Sequence, residues 1–226
     1  MKRRHLTAAL LAGAWQSAWP GWVMAAANEG EAATGVRAAL ERGALAAVSL
    51  LGRSDGFLGD PRVRIPLPKP MADIAKFLKA AGQGKKVEEL ETAMNRAAEA
   101  AVPEAKALFV STVKAMSVQD ALKLVQGGPT SATDYFASKT RAPLGEKFLP
   151  IVTKATEKVA LAERYNTLAA KASSLGLLKG EQVDVQHHVT TRALDGLFLV
   201  MAEEEKKIRA DPLKTGSAIL KKVFGG

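Results

Sequence analysis

The sequence predicts an all-α fold, a single-domain bundle of several helices with one long, extended, Pro-rich strap near the N-terminal third. Apolar residues recur three and four apart through most of the chain, the spacing that gathers them on one helix face. Gly and Pro punctuate these runs where helices would end. No alternating, strand-like run of useful length occurs besides Val63, Ile65 and Leu67.

Thr34 is placed to cap a first helix carrying Val36, Leu40, Ala44, Ala47, Val48 and Leu51, stopped by Gly52. The periodicity is then lost from Gly52 to Pro70. That connection is long for a compact domain, and such loops tend to cover something or to act. Pro66, Pro68 and Pro70 favour an extended, polyproline-like path. Alternation puts Val63, Ile65 and Leu67 on one side and Arg62 and Arg64 on the other. Two readings follow. The segment is a strap sealing the helical core, or Asp55, Asp60, Arg62 and Arg64 form the rim of a groove.

Helical spacing resumes at Met71, Ile74, Phe77, Leu78 and Ala81 and stops at Gly82. The next helix carries Val87, Leu90, Met94, Ala97, Ala98 and Ala101, with Lys85, Glu88, Glu89 and Glu91 on its charged face. Pro103 suits the first position of a helix that buries Leu108, Phe109, Val113 and Met116. Ser117 with Asp120 resembles a capping box for Val118 to Val125, closed by Gly127-Gly128-Pro129. Thr130 or Ser131 opens a short helix presenting Tyr135 and Phe136. Phe148, Ile151, Val152, Ala155 and Val159 form the next stripe, continued by Leu161, Tyr165 and Leu168. Pro150 kinks that helix or opens a new one. Residues 173–180 read as a connector. A long helix from Val185 to Ile208 ends at Asp211-Pro212, and Ile219, Leu220, Val223 and Phe224 mark a last one.

The first residues have a different character. Lys2, Arg3, Arg4 and His5 are followed by an apolar run, Leu6 to Trp19, then Pro20-Gly21 and the small-residue patterns Val23-Met24-Ala25 and Ala25-Ala26-Ala27. That order is a secretory signal peptide over residues 1–27, cleaved after Ala25 or Ala27, with residues 28–226 as the mature domain. Gln16 and Ser17 interrupt the run, so it is too short to span a bilayer. The expected location is periplasmic or secreted. Cleavage would remove three of the 32 basic residues and none of the 23 acids, leaving 29 against 23 and a net charge of +6 in place of +9. It would also remove every tryptophan. With no cysteine, stability has to come from the core.

Charge of this size, spread along the chain, excludes nucleic acid as the expected partner and speaks mainly to solubility. His187 and His188 point about 100° apart on a helix, and Asp184 with His188 falls short of the three or four ligands a metal needs. No phosphate loop, nucleophile elbow or cofactor motif is present, so no metal or cofactor is expected. Two polar spots remain. Asn95 and Glu99 lie one turn apart beside an alanine-rich face, with Arg96 able to pair a carboxylate; they are a buried structural network or the lining of a cavity. Asp195 precedes Gly196 inside a helix, where glycine costs about 1 kcal/mol unless close packing uses it. Glu203 to Arg209 reads as a solvated face of i,i+4 pairs.

The strings NRAAEAAVPEAK, DYFASKT, FLPIVTKAT, RYNTLA, VTTRALDGLF, AEEEKKIRADP and LKKVFG occur in this order, preceded by VSLLGRSDGFLGDPRVRIPLPKP. Together they resemble the exported bacterial family called domain of unknown function 4197. The resemblance runs from about residue 33 to the C-terminus. It implies a helical exported protein and supplies no reaction. From the residues, three functions are open. The first is a non-enzymatic module binding an apolar small molecule or envelope component in a groove between strap and helices. Phe57, Arg62, Arg64, Asn95, Arg96, Glu99, Tyr135, Phe136 and Asp195 are its candidate lining. The second is a murein-acting enzyme using a carboxylic acid such as Glu99. The third is a structural protein held on anionic membrane by charge.

Overall fold

A computed structural model describes residues 21–159, 162, 163, 166 and 184–211; for residues 21–28, Pro70, Asp73, Ile74 and Phe77 it describes the backbone path only. Residues 1–20, the expected continuation through Leu161, Tyr165 and Leu168, the 173–180 connector and the last helix at 219–224 lie outside the described residues. The described elements are helical: α1 (Gly21–Leu51), α2 (Lys69–Ala80), α3 (Gly84–Ala101), a 3₁₀ turn (Val102–Glu104), α4 (Ala105–Ala115), α5 (Val118–Gln126), α6 (Ser131–Thr156) and α7 (Val185–Ala210). The fold is all-α, and no strand occurs among the described residues.

The centre is built by α6 packing along α7, with α3 laid against both and α1 crossing α7, α4 and α5. The α3 alanines Ala97, Ala98 and Ala101 are fully buried. With no long side chains at these positions, α6 can come close. Phe109, Phe136 and Phe198 fill the space between α4, α6 and α7, with Phe109 edge-on to Phe136 at 5.4 Å. A smaller cluster of Ala33, Val36, Met116, Ala121, Leu124 and Ala132 sits where α1, α5 and the start of α6 meet.

Local capping signals hold where they are exposed. Ser117 Oγ accepts the Asp120 N–H at 3.0 Å, and Asp184 accepts that of His187 at 2.7 Å. Elsewhere the helix ends differ from expectation. Thr34 does not cap a helix. It lies inside α1, with its hydroxyl donating to the Gly30 carbonyl at 2.8 Å, because the alanine-rich residues before it continue the helix back to Gly21. Pro103 sits inside the 3₁₀ turn, and α4 starts two residues later. Of the two expectations at Pro150, a new helix does not open there. α6 runs unbroken through both Pro143 and Pro150. Each proline deprives the carbonyl four residues earlier of its helix bond. Those carbonyls belong to Lys139 and Glu146, both exposed, so water can take the missing place.

The segment between α1 and α2 also differs from expectation. An extended path is not found across most of it. Successive turns run from Gly52 to Val63, and the chain is without regular structure only from Arg64 to Pro68. Pro70 already belongs to α2, whose first N–H groups are met by the Pro68 carbonyl. The turns are forced by close approach. A Cβ on Gly56 would stand 2.4 Å from the Leu51 carbonyl oxygen, and one on Gly59 would stand 2.8 Å from that of Asp55. The inward side is apolar as alternation requires, with Phe57, Val63 and Ile65 buried and Arg62 and Arg64 exposed.

Candidate functional site

The turns of residues 52–63 rest on α3 and α7. Glu99, 5% exposed, turns its carboxylate to the loop: Oε1 accepts the N–H groups of Phe57 at 3.0 Å and Leu58 at 3.2 Å. Oε2 accepts Arg96 Nη1 at 2.7 Å, and Arg96 Nη2 reaches Asp55 Oδ1 at 2.8 Å. The pairing with Glu99, then with Asp55, holds the Arg96 guanidinium more firmly charged than usual. One turn earlier, Asn95 acts like a strand neighbour for Ile65, accepting its N–H at 2.8 Å and donating to its carbonyl at 3.0 Å. His188 Nε2 stands 2.9 Å from the Pro66 carbonyl. Burial lowers the His188 pKa, and because a carbonyl only accepts, Nε2–H is the donor here.

On the α7 side, a Cβ on Gly196 would stand 2.7 Å from Phe57 Cε1 and 3.2 Å from Val63 Cβ. The close packing that excuses a mid-helix glycine is therefore with the loop, not with another helix. Arg62 pairs with both Asp60 and Glu203, and its hydrogen bond draws the Asp60 pKa below the usual carboxylate range. Arg64 turns to Glu91 at 3.1 Å.

Outward of this support lies a polar pocket of about 320 Å³, walled by Leu50 and Leu51 at the end of α1, by loop residues from Arg53 to Arg62, and by Val200. Its volume is at the lower end of small-ligand sites. An apolar cavity between α1, α6 and α7, lined by Leu40, Phe136, Met201 and Ile208 among others, holds only about 30 Å³. That is room for roughly one water.

The structure thus divides the candidate residues. Arg62 lines the loop pocket. Asn95, Arg96 and Glu99 stand beneath the loop and hold it up. Phe57 and Phe136 are core residues, 0% and 1% exposed, and Phe136 borders only the small apolar cavity. Tyr135 packs at the edge of the second cluster, where burial raises its hydroxyl pKa. Asp195 pairs with Arg141 and more loosely with Arg192 at 3.8 Å, away from the loop pocket. Aromatic spacing alone could not separate core phenylalanines from cavity lining.

The expected pair Glu205–Arg209 forms, but not in the expected setting. It is not a solvated face. Glu205 is 7% exposed and accepts the N–H groups of Ala132 and Thr133 at 3.0 and 2.8 Å, capping α6 from another helix. Arg209 joins it at 2.8 Å and also donates to the Leu124 carbonyl at 2.7 Å. Among the described residues, no group of three or more His, Asp or Glu could hold a metal.

A family model described as Protein of unknown function (DUF4197) matches residues 26–225. The chain belongs to that family. No curated protein and no solved structure matches it. Membership in DUF4197 therefore brings no reaction or ligand, and the site has to be read from its own chemistry. No helix among the described residues is long and apolar enough to cross a membrane.

Proposed function

We propose that this DUF4197 protein is an exported, non-enzymatic binding module that contacts a cell-envelope component through the loop pocket. The observation that carries this reading is the pairing of a preformed polar pocket with a loop fixed from beneath. Loops held by rigid helices are where binding residues concentrate, and a prefixed loop loses little freedom on binding. The buried polar groups around it (Asn95, Glu99, His188) bond to loop backbone, leaving no evident general acid–base pair. A cavity of one water's size offers little to an apolar ligand, so the weight moves to an envelope partner.

Export is supported by the basic, apolar, small-residue order of residues 1–27 and by a family match that starts at residue 26, inside the expected cleavage region. The test is expression of the full chain followed by fractionation and denaturing mass spectrometry. A periplasmic product starting at residue 26 or 28 supports export; an intact, tryptophan-containing cytoplasmic product overturns it. Binding is tested by co-sedimentation of the mature protein with purified murein sacculi and, separately, with anionic vesicles. Retention on sacculi without loss of turbidity supports a non-enzymatic module. Clearing of the sacculi would make it an enzyme, and retention on vesicles alone, abolished by salt, would favour adsorption to anionic lipid.

A further inference from the structure

We infer that the loop pocket recognises a small zwitterion with one ammonium and one carboxylate, as in a free amino acid or a whole dipeptide. This deepens the reading of that pocket as the contact site and rests on it. The pocket's charged side chains are not equally available. Arg62 is engaged by Asp60 and Glu203, and Asp60 is engaged in return through both oxygens. Asp55 gives only Oδ1 to Arg96, and its side chain is 61% exposed. Arg53 has no partner among the described residues. One guanidinium and one carboxylate oxygen thus remain uncommitted, two residues apart in the turn that the Arg53 carbonyl closes on the Gly56 N–H at 3.0 Å.

The surrounding charge decides which ligand suits them. Arg53, Arg62 and Arg96 face Asp55, Asp60, Glu99 and Glu203, a local balance of one negative charge. The carbonyl end of α1, pressed against Gly56, adds to the negative side. A phosphate dianion is disfavoured in that field, and a plain cation meets Arg53. A ligand that carries one carboxylate and one ammonium can satisfy both groups with no net charge. Guanidinium binds a carboxylate by two parallel hydrogen bonds, and an ammonium reaches a free carboxylate oxygen from many directions.

The turn is also set in advance. Asp55 holds φ at 63°, the left-handed region that costs a non-glycine residue free energy. Arg96 fixes its carboxylate, and the tight packing at Gly56 and Gly59 leaves the turn no room to relax. Leu50, 38% exposed at the wall, offers contact to a small aliphatic side chain.

The test titrates the mature protein with Ala-Ala, free alanine, N-acetyl-Ala-Ala, Ala-Ala amide and inorganic phosphate, followed by backbone amide NMR shifts. The expected result is saturable shifts at residues 53–60 with Ala-Ala or alanine, at least tenfold weaker with either blocked dipeptide and absent with phosphate. Ala-Ala and alanine together separate a dipeptide from a free amino acid. Arg53→Gln and Asp55→Asn should each weaken binding at least tenfold. Asparagine tolerates left-handed φ, so the second variant keeps the turn, and unchanged circular dichroism confirms that. Binding that survives Arg53→Gln, or phosphate binding as tight as Ala-Ala, overturns the inference. If sacculi retain the protein while no zwitterion shifts the loop, this inference falls and the envelope-binding reading stands. If neither is bound, both fall.

Discussion

The carboxylate of Glu99 accepts the backbone N–H of Phe57 at 3.0 Å, joining residues 42 positions apart in the chain. The same oxygen takes the next N–H, and the other oxygen takes Arg96. A carboxylate used this way belongs to the loop's architecture. Glu99→Ala should lower stability by about 2–4 kcal/mol, because two N–H groups and one guanidinium lose a buried acceptor. Glu99→Gln retains one acceptor oxygen and should cost roughly half as much. Urea unfolding followed at 222 nm measures both. A stable Glu99→Gln protein that loses a demonstrable murein-cleaving activity would assign Glu99 to catalysis instead.

Gly196→Ala brings a methyl to within 2.7 Å of Phe57 Cε1. The gain in helix propensity, about 1 kcal/mol, is outweighed by overpacking of about 1–3 kcal/mol. The variant should therefore melt below the parent. Phe57→Leu in the same chain should recover part of the loss, so the two substitutions should be non-additive in a double-mutant cycle.

His188 links stability to pH. Its folded pKa lies below the ordinary 6.5, with burial the main cause and the nearby Arg192 a lesser one. The unfolded chain therefore binds the proton first, so stability rises with pH through this range. The contribution is fully present above about pH 6.5 and is lost as pH falls from there toward the folded value. His188→Gln should flatten that limb of the urea midpoint between pH 7 and pH 5. An unchanged slope would mean that another group sets it.

Glu205→Ala strands the N–H groups of Ala132 and Thr133 together with the Arg209 guanidinium. A loss of about 3–5 kcal/mol is expected, as for one partner removed from a buried ion pair. Glu205→Ala with Arg209→Met should cost less than Glu205→Ala alone, since no uncompensated charge is left. Denaturant midpoints of the two variants and the parent decide this.

The sequence by itself determined the all-helical class, most helix faces, the cap at Ser117 and the inward side of the loop. These follow from spacing and from groups within four residues of one another. It also marked Asn95, Arg96 and Glu99 as a polar cluster, and left open whether they line a cavity or serve the fold. Their partners Asp55, Phe57 and Ile65 lie at least 30 positions away, so only tertiary packing could answer. The same holds for α6 continuing through two prolines, and for Glu205 and Arg209 turned inward while Lys207 stays exposed and Glu204 is partly buried. A charged or glycine residue on a helix reads alike whether it faces water or a loop. What decides its role is the neighbour that folding brings against it, and that neighbour is not written within one helical turn.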